Sequence, residues 1–394
     1  MDSPQKLLSR DFVLLFLLAT CSNCYIAVSY CFEQWLVKQD VPASTCGVLM
    51  AALPALVLLT RPLASVWLLG RDKMPAMIVS IAVSSLVMLA YPFVGTSHVV
   101  GWVLLLRVVQ GVALAVYSSC TVSVLVSCIP QGESARGFAL FSLTLLLPFA
   151  VIPAIAEELL AIVPSEAHLF AWSTLLGVPA FCMLPPLARR LRAGGDGAPT
   201  HHSYAELWHS VCHSGLLYAY LACMLFGTMT SQAINFVKGL CTLTGGNPGL
   251  FFTIYTATIM VLRVLCSRQL DRLPRHPAIW LSCAVLAASM LGIGFGPLWA
   301  FAPCSFTYGL ALGLLYPLLA AVIYDRSQPE MRSLNSNVMM AAFDASGTLA
   351  PLLGGLVVQV GLGYRGVFAG NALAVSICGL CMVVDWYSRK RAQA

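Results

Sequence analysis

Charge is what this sequence has least of. Only 10% of its 394 residues are Asp, Glu, Lys or Arg, against a hydrophobic share of 59% and a mean hydropathy of +0.84. A water-soluble chain is usually about 25% charged and about 45–50% apolar. Want of polar surface therefore excludes a soluble globular fold, and the chain reads as a polytopic membrane protein. Polar runs are equally scarce. The one long stretch without an apolar segment is 188–213, with Arg189, Arg190, Arg192, a GGDGAP core and the histidines His201, His202, His209 and His213. No Walker motif, GxSxG, HExxH or dinucleotide fingerprint occurs, so no enzymatic activity and no cofactor are expected. No two CxxC pairs stand at zinc-ligand spacing, and no metal site is expected. The fifteen cysteines are scattered through apolar segments, where a buried thiol behaves as a small hydrophobe; Cys21-Ser-Asn-Cys24 is a CxxC only formally. The N-terminus lacks a signal-peptide cleavage pattern, and its first apolar run reads as a retained helix.

What the chain does have is apolar segments long enough to cross a bilayer, which takes about 20 residues each. Six lie in the first half, near 11–33, 44–69, 75–94, 98–128, 135–160 and 167–187. Six lie in the second, near 214–237, 248–270, 277–296, 298–324, 333–359 and 364–387. They are too long for barrel strands and lack their alternation. The expected fold is all-α, twelve transmembrane helices in two six-helix bundles, 1–187 and 214–394, joined by a linker, 188–213. An even count puts both termini on one side. Of the 22 Lys and Arg residues, all but four fall in the turns of that side; Lys38, Lys238 and Arg365 fall opposite, and Arg107 lies inside the fourth span. This bias makes the termini cytoplasmic and the membrane the plasma (inner) membrane. It also accounts for the net charge of +6, so no nucleic-acid partner is needed.

The halves repeat. Thr60-Arg61-Pro62 running on to Gly70-Arg71-Asp72-Lys73 has a counterpart in Leu262-Arg263 leading to Arg268-Gln269-Leu270-Asp271-Arg272. Pro130–Arg136 after span four corresponds to Pro329-Glu330-Met331-Arg332 after span ten, and Pro153 in span five to Pro351 in span eleven. Parallel six-helix repeats are a known route to a transporter. On these basic turns, on Arg107-Val108-Val109-Gln110-Gly111, on the span-eleven glycines and on Gly363-Tyr364-Arg365-Gly366-Val367-Phe368, the whole chain resembles the major facilitator superfamily (MFS). Its style is most similar to bacterial efflux permeases. The family's span-two turn is altered here, with Ser65 for a glycine and Leu69 for an aspartate, whereas Asp271-Arg272 is kept. The resemblance implies a secondary active transporter moving a small organic solute by alternating access, as proton-coupled efflux. The alternatives are a proton symporter importing a small organic anion and, further off, a non-transporting receptor or scaffold. The expected partners are the solute, protons and the lipid bilayer, and a monomer suffices because the repeat already supplies the pseudo-symmetry.

Charge at membrane depth is costly, so each buried charge is a functional candidate. Arg107 lies about nine residues into span four, ~13 Å deep at 1.5 Å per residue, and resembles the family's span-four arginine tied to proton coupling. Asp344 lies about eleven residues into span eleven, ~16 Å deep. A midplane carboxylate whose pKa follows its surroundings is a natural proton carrier. The substrate-cavity candidates are Asn23, Ser29 and Tyr30 on span one, Tyr117 and Ser118 on span four, and Gln232 and Asn235 on span seven; the resemblance implies that spans one, four, seven and ten line the cavity. Arg61, Arg263, Asp271 and Arg272, with Asp325, Arg326, Glu330 and Arg332, are expected to latch one conformation at the cytoplasmic face. Glu157 and Glu158, and Glu33 with Gln34, read as solvated helix ends. The linker histidines read as a solvated loop. Gly309 and Gly313 read as a close-packing stripe.

Overall fold

The structure, a computed structural model, describes residues 7–69, 71–95, 97–193 and 211–393, with the backbone alone at a few helical positions. His201, His202 and His209 lie outside the described residues, as do the side chains of Tyr30, Glu33 and Glu157. Every regular element among the described residues is helical. Lipid offers no partner for backbone N–H and C=O groups, and a helix satisfies its own. The spans are α1 (Arg10–Val28), α2 (Ala43–Trp67), α3 (Lys73–Ala90), α4 (Val99–Cys128), α5 (Leu143–Leu160), α6 (Gly177–Ala193), α7 (Leu217–Thr244), α8 (Pro248–Leu265), α9 (Arg275–Phe295), α10 (Phe301–Arg326), α11 (Arg332–Val357) and α12 (Gly363–Gln393). Among the described residues eleven stretches are long and apolar enough to cross a membrane, and the last, Pro329–Arg391, holds both α11 and α12. The chain is an all-α membrane protein of twelve spans.

Local chemistry sets the boundaries. Asp72 caps α3 by accepting from the Met74 amide at 2.9 Å, and Asn247 caps α8, with Pro248 at its first position. α7 ends at Gly245 in the left-handed region, φ 75°. Between α11 and α12 the chain turns through Gly361 (φ 92°) and Gly363 (φ 62°), a geometry that costs glycine nothing and other residues a good deal. Several expected bounds move. Span one continues past α1 through a tight turn, Ser29–Cys31, into a short helix, Phe32–Lys38. Span five is split at Ser142 into Ser134–Phe141 and α5. α6 runs to Ala193, so 188–193, expected as linker, is helical. Pro185 and Pro186 do not stop it, because strong helix formers follow them. Glu158 is exposed near the end of α5.

Contacts divide the chain into two units. One is Met1–Pro130 with Phe141–Tyr204, the other Gln131–Leu140 with Ala205–Ala394, so the helix Ser134–Phe141 falls almost wholly in the second. Inside unit 1, α1 packs on α5 and α6, and α4 packs on α2 and α3. Inside unit 2, α7 packs on α11 and α12, and α10 packs on α8 and α9. The same graph recurs six helices later. It recurs in detail as well. A methyl added to Gly111 of α4 would stand 2.7 Å from Leu56 Cβ and 3.1 Å from the Leu53 carbonyl of α2; one added to Gly309 of α10 would stand 2.7 Å from the Tyr255 carbonyl of α8. Both glycines let backbones approach, and they lie at nearly the spacing of the sequence repeat.

Candidate functional site

α4 carries the first candidate into the core of unit 1. Arg107 is 5% exposed. Its guanidinium lies over the Phe32 ring, 3.5 Å from the centroid, where the electron-rich face attracts a cation. Nη1 donates to Gln110 Oε1, one turn along, at 3.5 Å. Nε is buried with no hydrogen-bond partner. Among the described residues no carboxylate forms an ion pair with it. Phe32 belongs to a four-ring cluster with Trp35, Tyr91 and Phe170, centroids 5.2 to 6.2 Å apart. The Tyr91 hydroxyl in it is also buried and unpartnered.

Further along the same helix, Gln110, Leu114 and Tyr117 line a small pocket with Ser22, Tyr25 and Ile26 of α1 and Ile81 and Ser84 of α3. Positions 110, 114 and 117 share one helical face. Ser22 Oγ and Tyr117 Oη are buried there without a formed hydrogen bond, and Tyr25 Oη bonds Ser85 Oγ at 3.0 Å. Of the expected cavity residues on spans one and four, Tyr117 reaches this pocket. Asn23 does not line it; its amide donates to the Thr144 carbonyl at 3.1 Å and ties α1 to α5. Tyr91, Ser22, Tyr25 and Ser84 carried no signal in the sequence beyond being polar groups in apolar spans. Gln110 could have been found from its spacing, three residues after Arg107. A further missed group is Glu166, 3% exposed and paired with Lys38.

In unit 2, Asp344 is half-buried on α11. Its neighbour Phe343 packs on Phe226 of α7 (6.0 Å) and Tyr316 of α10 (5.6 Å). Gln232, 8% exposed, donates to the Ala350 carbonyl at 3.2 Å and joins α7 to α11 beside Pro351. Asn235 is exposed on the same helix, 3.4 Å from Ser231 Oγ.

The expected latch takes a different form. Arg61 and Arg263 are 6% and 5% exposed, inside their own units rather than on a charged surface, and Arg263 lies 5.4 Å from the Tyr316 ring. Each sits inside a packed span rather than in the turn that follows it. Arg272 is exposed, and Asp271 turns instead to Arg275, one helical turn later, at 3.3 Å. Asp271 also accepts from the Ala135 amide at 2.9 Å and the Arg136 amide at 3.3 Å. It so caps the helix Ser134–Phe141, whose first turn favours an anion. Arg275 adds Ser134 Oγ at 3.2 Å and Asp325 at 3.4 Å. Burial raises the Asp271 carboxyl above its ordinary value, while Arg275 and the two amides pull it down. A second cluster centres on Asp385 of α12, its side chain 2% exposed, with Arg326 of α10, His276 of α9 at 3.6 Å and Arg389 at 3.3 Å.

The comparisons with known proteins agree with this architecture. A family model described as Major Facilitator Superfamily matches residues 12–245 and again 242–394. Among curated proteins no sequence matches significantly. Solved structures do match. The chain is similar to the human organic anion transporter MFSD10 (15% identity, 97% of this chain and 100% of that one, TM-score 0.72). It is similar to the E. coli fucose:proton symporter FucP (12%, 95% and 98%, TM-score 0.76). The proton:xylose symporter XylE also matches (13%, 94% and 94%, TM-score 0.69). At such identities these likenesses speak for the fold alone. The family model, matched twice and across nearly the whole length, speaks for descent: the chain belongs to the major facilitator superfamily.

Proposed function

We propose that the chain is a secondary active transporter that moves a small organic solute by alternating access of its two six-helix bundles, with protons as the coupling ion. The observation that carries the reading is the ionisable inventory at span depth: Arg107 buried in unit 1 with no carboxylate beside it and Asp344 half-buried on α11 of unit 2. Groups so costly to place in a membrane are kept for function. Asp344 takes up and releases the proton as its surroundings change, since burial favours the neutral form and a nearby cation the charged one. The family supports the class, and two structural relatives are described as proton symporters and one as an organic anion transporter.

Export, the direction expected from the sequence, draws on resemblance. Symport draws on Arg107, whose uncompensated charge favours an anionic solute, and an anion that travels with a proton crosses without net charge and without work against the membrane potential. Symport of a small organic anion is the stronger reading. The basic bias of the turns supports cytoplasmic termini in a plasma (inner) membrane, and a monomer suffices. Of the cavity candidates, Tyr117 has the pocket behind it. Asn23 and Gln232 serve to join helices.

The test is proton movement in proteoliposomes under an imposed pH gradient, against a panel of organic solutes, for the wild type and Asp344→Asn. The wild type should show solute-dependent proton flux, and the variant should lose it while still binding the solute. Normal transport by the variant would make Asp344 structural, and solute transport without proton flux would remove the coupling.

A further inference from the structure

We infer that Arg107, Gln110 and Tyr91 form a carboxylate site in the core of unit 1, and that the pocket beside Gln110 receives the hydroxylated, uncharged body of the same solute. The inference rests on the transport reading and names what the transporter recognises.

The donors on this stretch of α4 are under-used. A guanidinium carries five N–H donors in a fixed fork. Arg107 uses one, at 3.5 Å, the long limit of a hydrogen bond, and its Nε uses none. Gln110 is no better served. Its Oε1 holds only that long contact, and its Nε2 has only the Met88 thioether at 4.0 Å. The Tyr91 hydroxyl, on a residue 1% exposed, has no partner, and its ring meets the same Phe32 that Arg107 covers. The Phe32 face offsets part of the cost of burying the cation, about 2 kcal/mol at most when desolvated. Burial itself costs several kcal/mol. What the set lacks is one planar anion that accepts from the fork, from an amide and from a hydroxyl together, and a carboxylate has that geometry.

The pocket defines the rest of the solute. Its polar lining is hydroxyl and amide: Ser22, Tyr25, Ser84, Gln110 and Tyr117, with neither acid nor base among them. Two of these hydroxyls, on Ser22 and Tyr117, are buried without a bond. Such a wall hydrogen-bonds neutral polar groups and discriminates against a ligand that lacks them, because its own groups would stay unpaired. Gln110 belongs to both regions. The charged end and the polar body therefore meet at its amide.

The rival account is that Arg107 is a staple, held by Phe32 and serving packing only. Ligand-induced thermal stabilisation of the full chain in lipid nanodiscs separates the two, with lactate and gluconate as probes and lactamide and glucose as their uncharged counterparts. The two carboxylates should raise the wild-type unfolding temperature in a saturable way, and the neutral pair should do so much less. Arg107→Gln should weaken the carboxylate effect at least tenfold, the loss of a charged hydrogen bond. Tyr91→Phe, which removes one unpartnered oxygen and leaves the packing intact, should weaken it about threefold or more. Equal stabilisation by acid and neutral probe, or carboxylate binding untouched in both variants, would overturn the site. The transport reading fails separately. Carboxylates that bind through Arg107 without any proton flux leave the site standing and end the coupling; proton-coupled flux that persists in Arg107→Gln does the reverse.

Discussion

Asp271 offers the sharpest test of the physical reasoning, because three different effects meet on one carboxylate. Its oxygens accept from the Ala135 and Arg136 amides at 2.9 and 3.3 Å and face Arg275 at 3.3 Å, with the side chain 11% exposed. Asp271→Ala leaves both amides of the helix Ser134–Phe141 without their acceptor. Each lost bond to a buried donor costs about 1–3 kcal/mol. If that helix opens locally, its amides should exchange with solvent about 5- to 150-fold faster. Asp271→Asn keeps one acceptor oxygen and removes a charge that burial already disfavours, as the raised carboxyl shows. The lost charge assistance and the relieved desolvation oppose each other, so exchange should stay within about threefold of wild type. Hydrogen–deuterium exchange with mass spectrometry, followed on peptides covering 131–141, reads both variants directly. Unchanged protection in Asp271→Ala would mean that the cap holds nothing. Equal effects from Ala and Asn would mean that charge, rather than the two hydrogen bonds, anchors the helix.

The same carboxyl predicts a pH dependence. Its folded pKa lies above its unfolded one, so its contribution to stability is complete below the unfolded pKa and is lost as pH rises through the folded one. The unfolding temperature of the wild type should therefore gain on that of Asp271→Asn as pH falls from neutral towards 4, in parallel thermal scans. Asp385→Ala strips a buried acceptor, 2% exposed, from Arg326, His276 and Arg389. It should cost about 3–5 kcal/mol, seen as a lower unfolding temperature that Arg326→Met partly restores; no loss would show the cluster to be solvated. Gly309→Ala should destabilise more than Gly313→Ala. The first methyl meets the Tyr255 backbone at 2.7 Å, and the second meets a Leu262 methyl that can rotate away; the reverse order in a thermal melt would refute the packing argument.

How much of this was legible in the sequence depends on which force sets each feature. The spans were legible because hydropathy is a property of composition, and a bilayer imposes one length on all of them. The repeat was legible where its turns are polar, at Arg61 and Arg263 and at Pro130 and Pro329, since those residues stand out against an apolar chain. The split at Ser142 and the helical reach to Ala193 were not, because local backbone geometry overrides a hydropathy window. Among candidate residues, Arg107 and Asp344 were found by depth alone. Partners were not, since they come from other helices: Asn23 finds Thr144 and Gln232 finds Ala350, pairings no spacing rule encodes. Arg272 was favoured over Arg275 as the partner of Asp271 because adjacency is visible in a sequence and the one-turn return of a helix N-terminus is less so.

One further step follows from setting the repeat beside the chemistry. The two units share a packing graph, down to a glycine of α4 against α2 and a glycine of α10 against α8. Their charges do not repeat. Arg107 sits on the fourth helix of one unit and Asp344 on the fifth helix of the other, and neither has a charged counterpart at the matching helix: α5 carries no acid before Glu157, and α10 carries no charge before Asp325. A duplicated frame needs its packing residues twice, because each bundle must close on its own. A solute and a proton need recognition once each, so selection for function breaks the symmetry that selection for folding keeps. Under this logic the residues that depart from the repeat are where to look for chemistry. Asp385, buried on α12 with no acid within the described part of α6, departs from it too, yet its three cationic neighbours already satisfy it. Arg107, with Nε unpartnered, is left waiting for a charge from outside the chain.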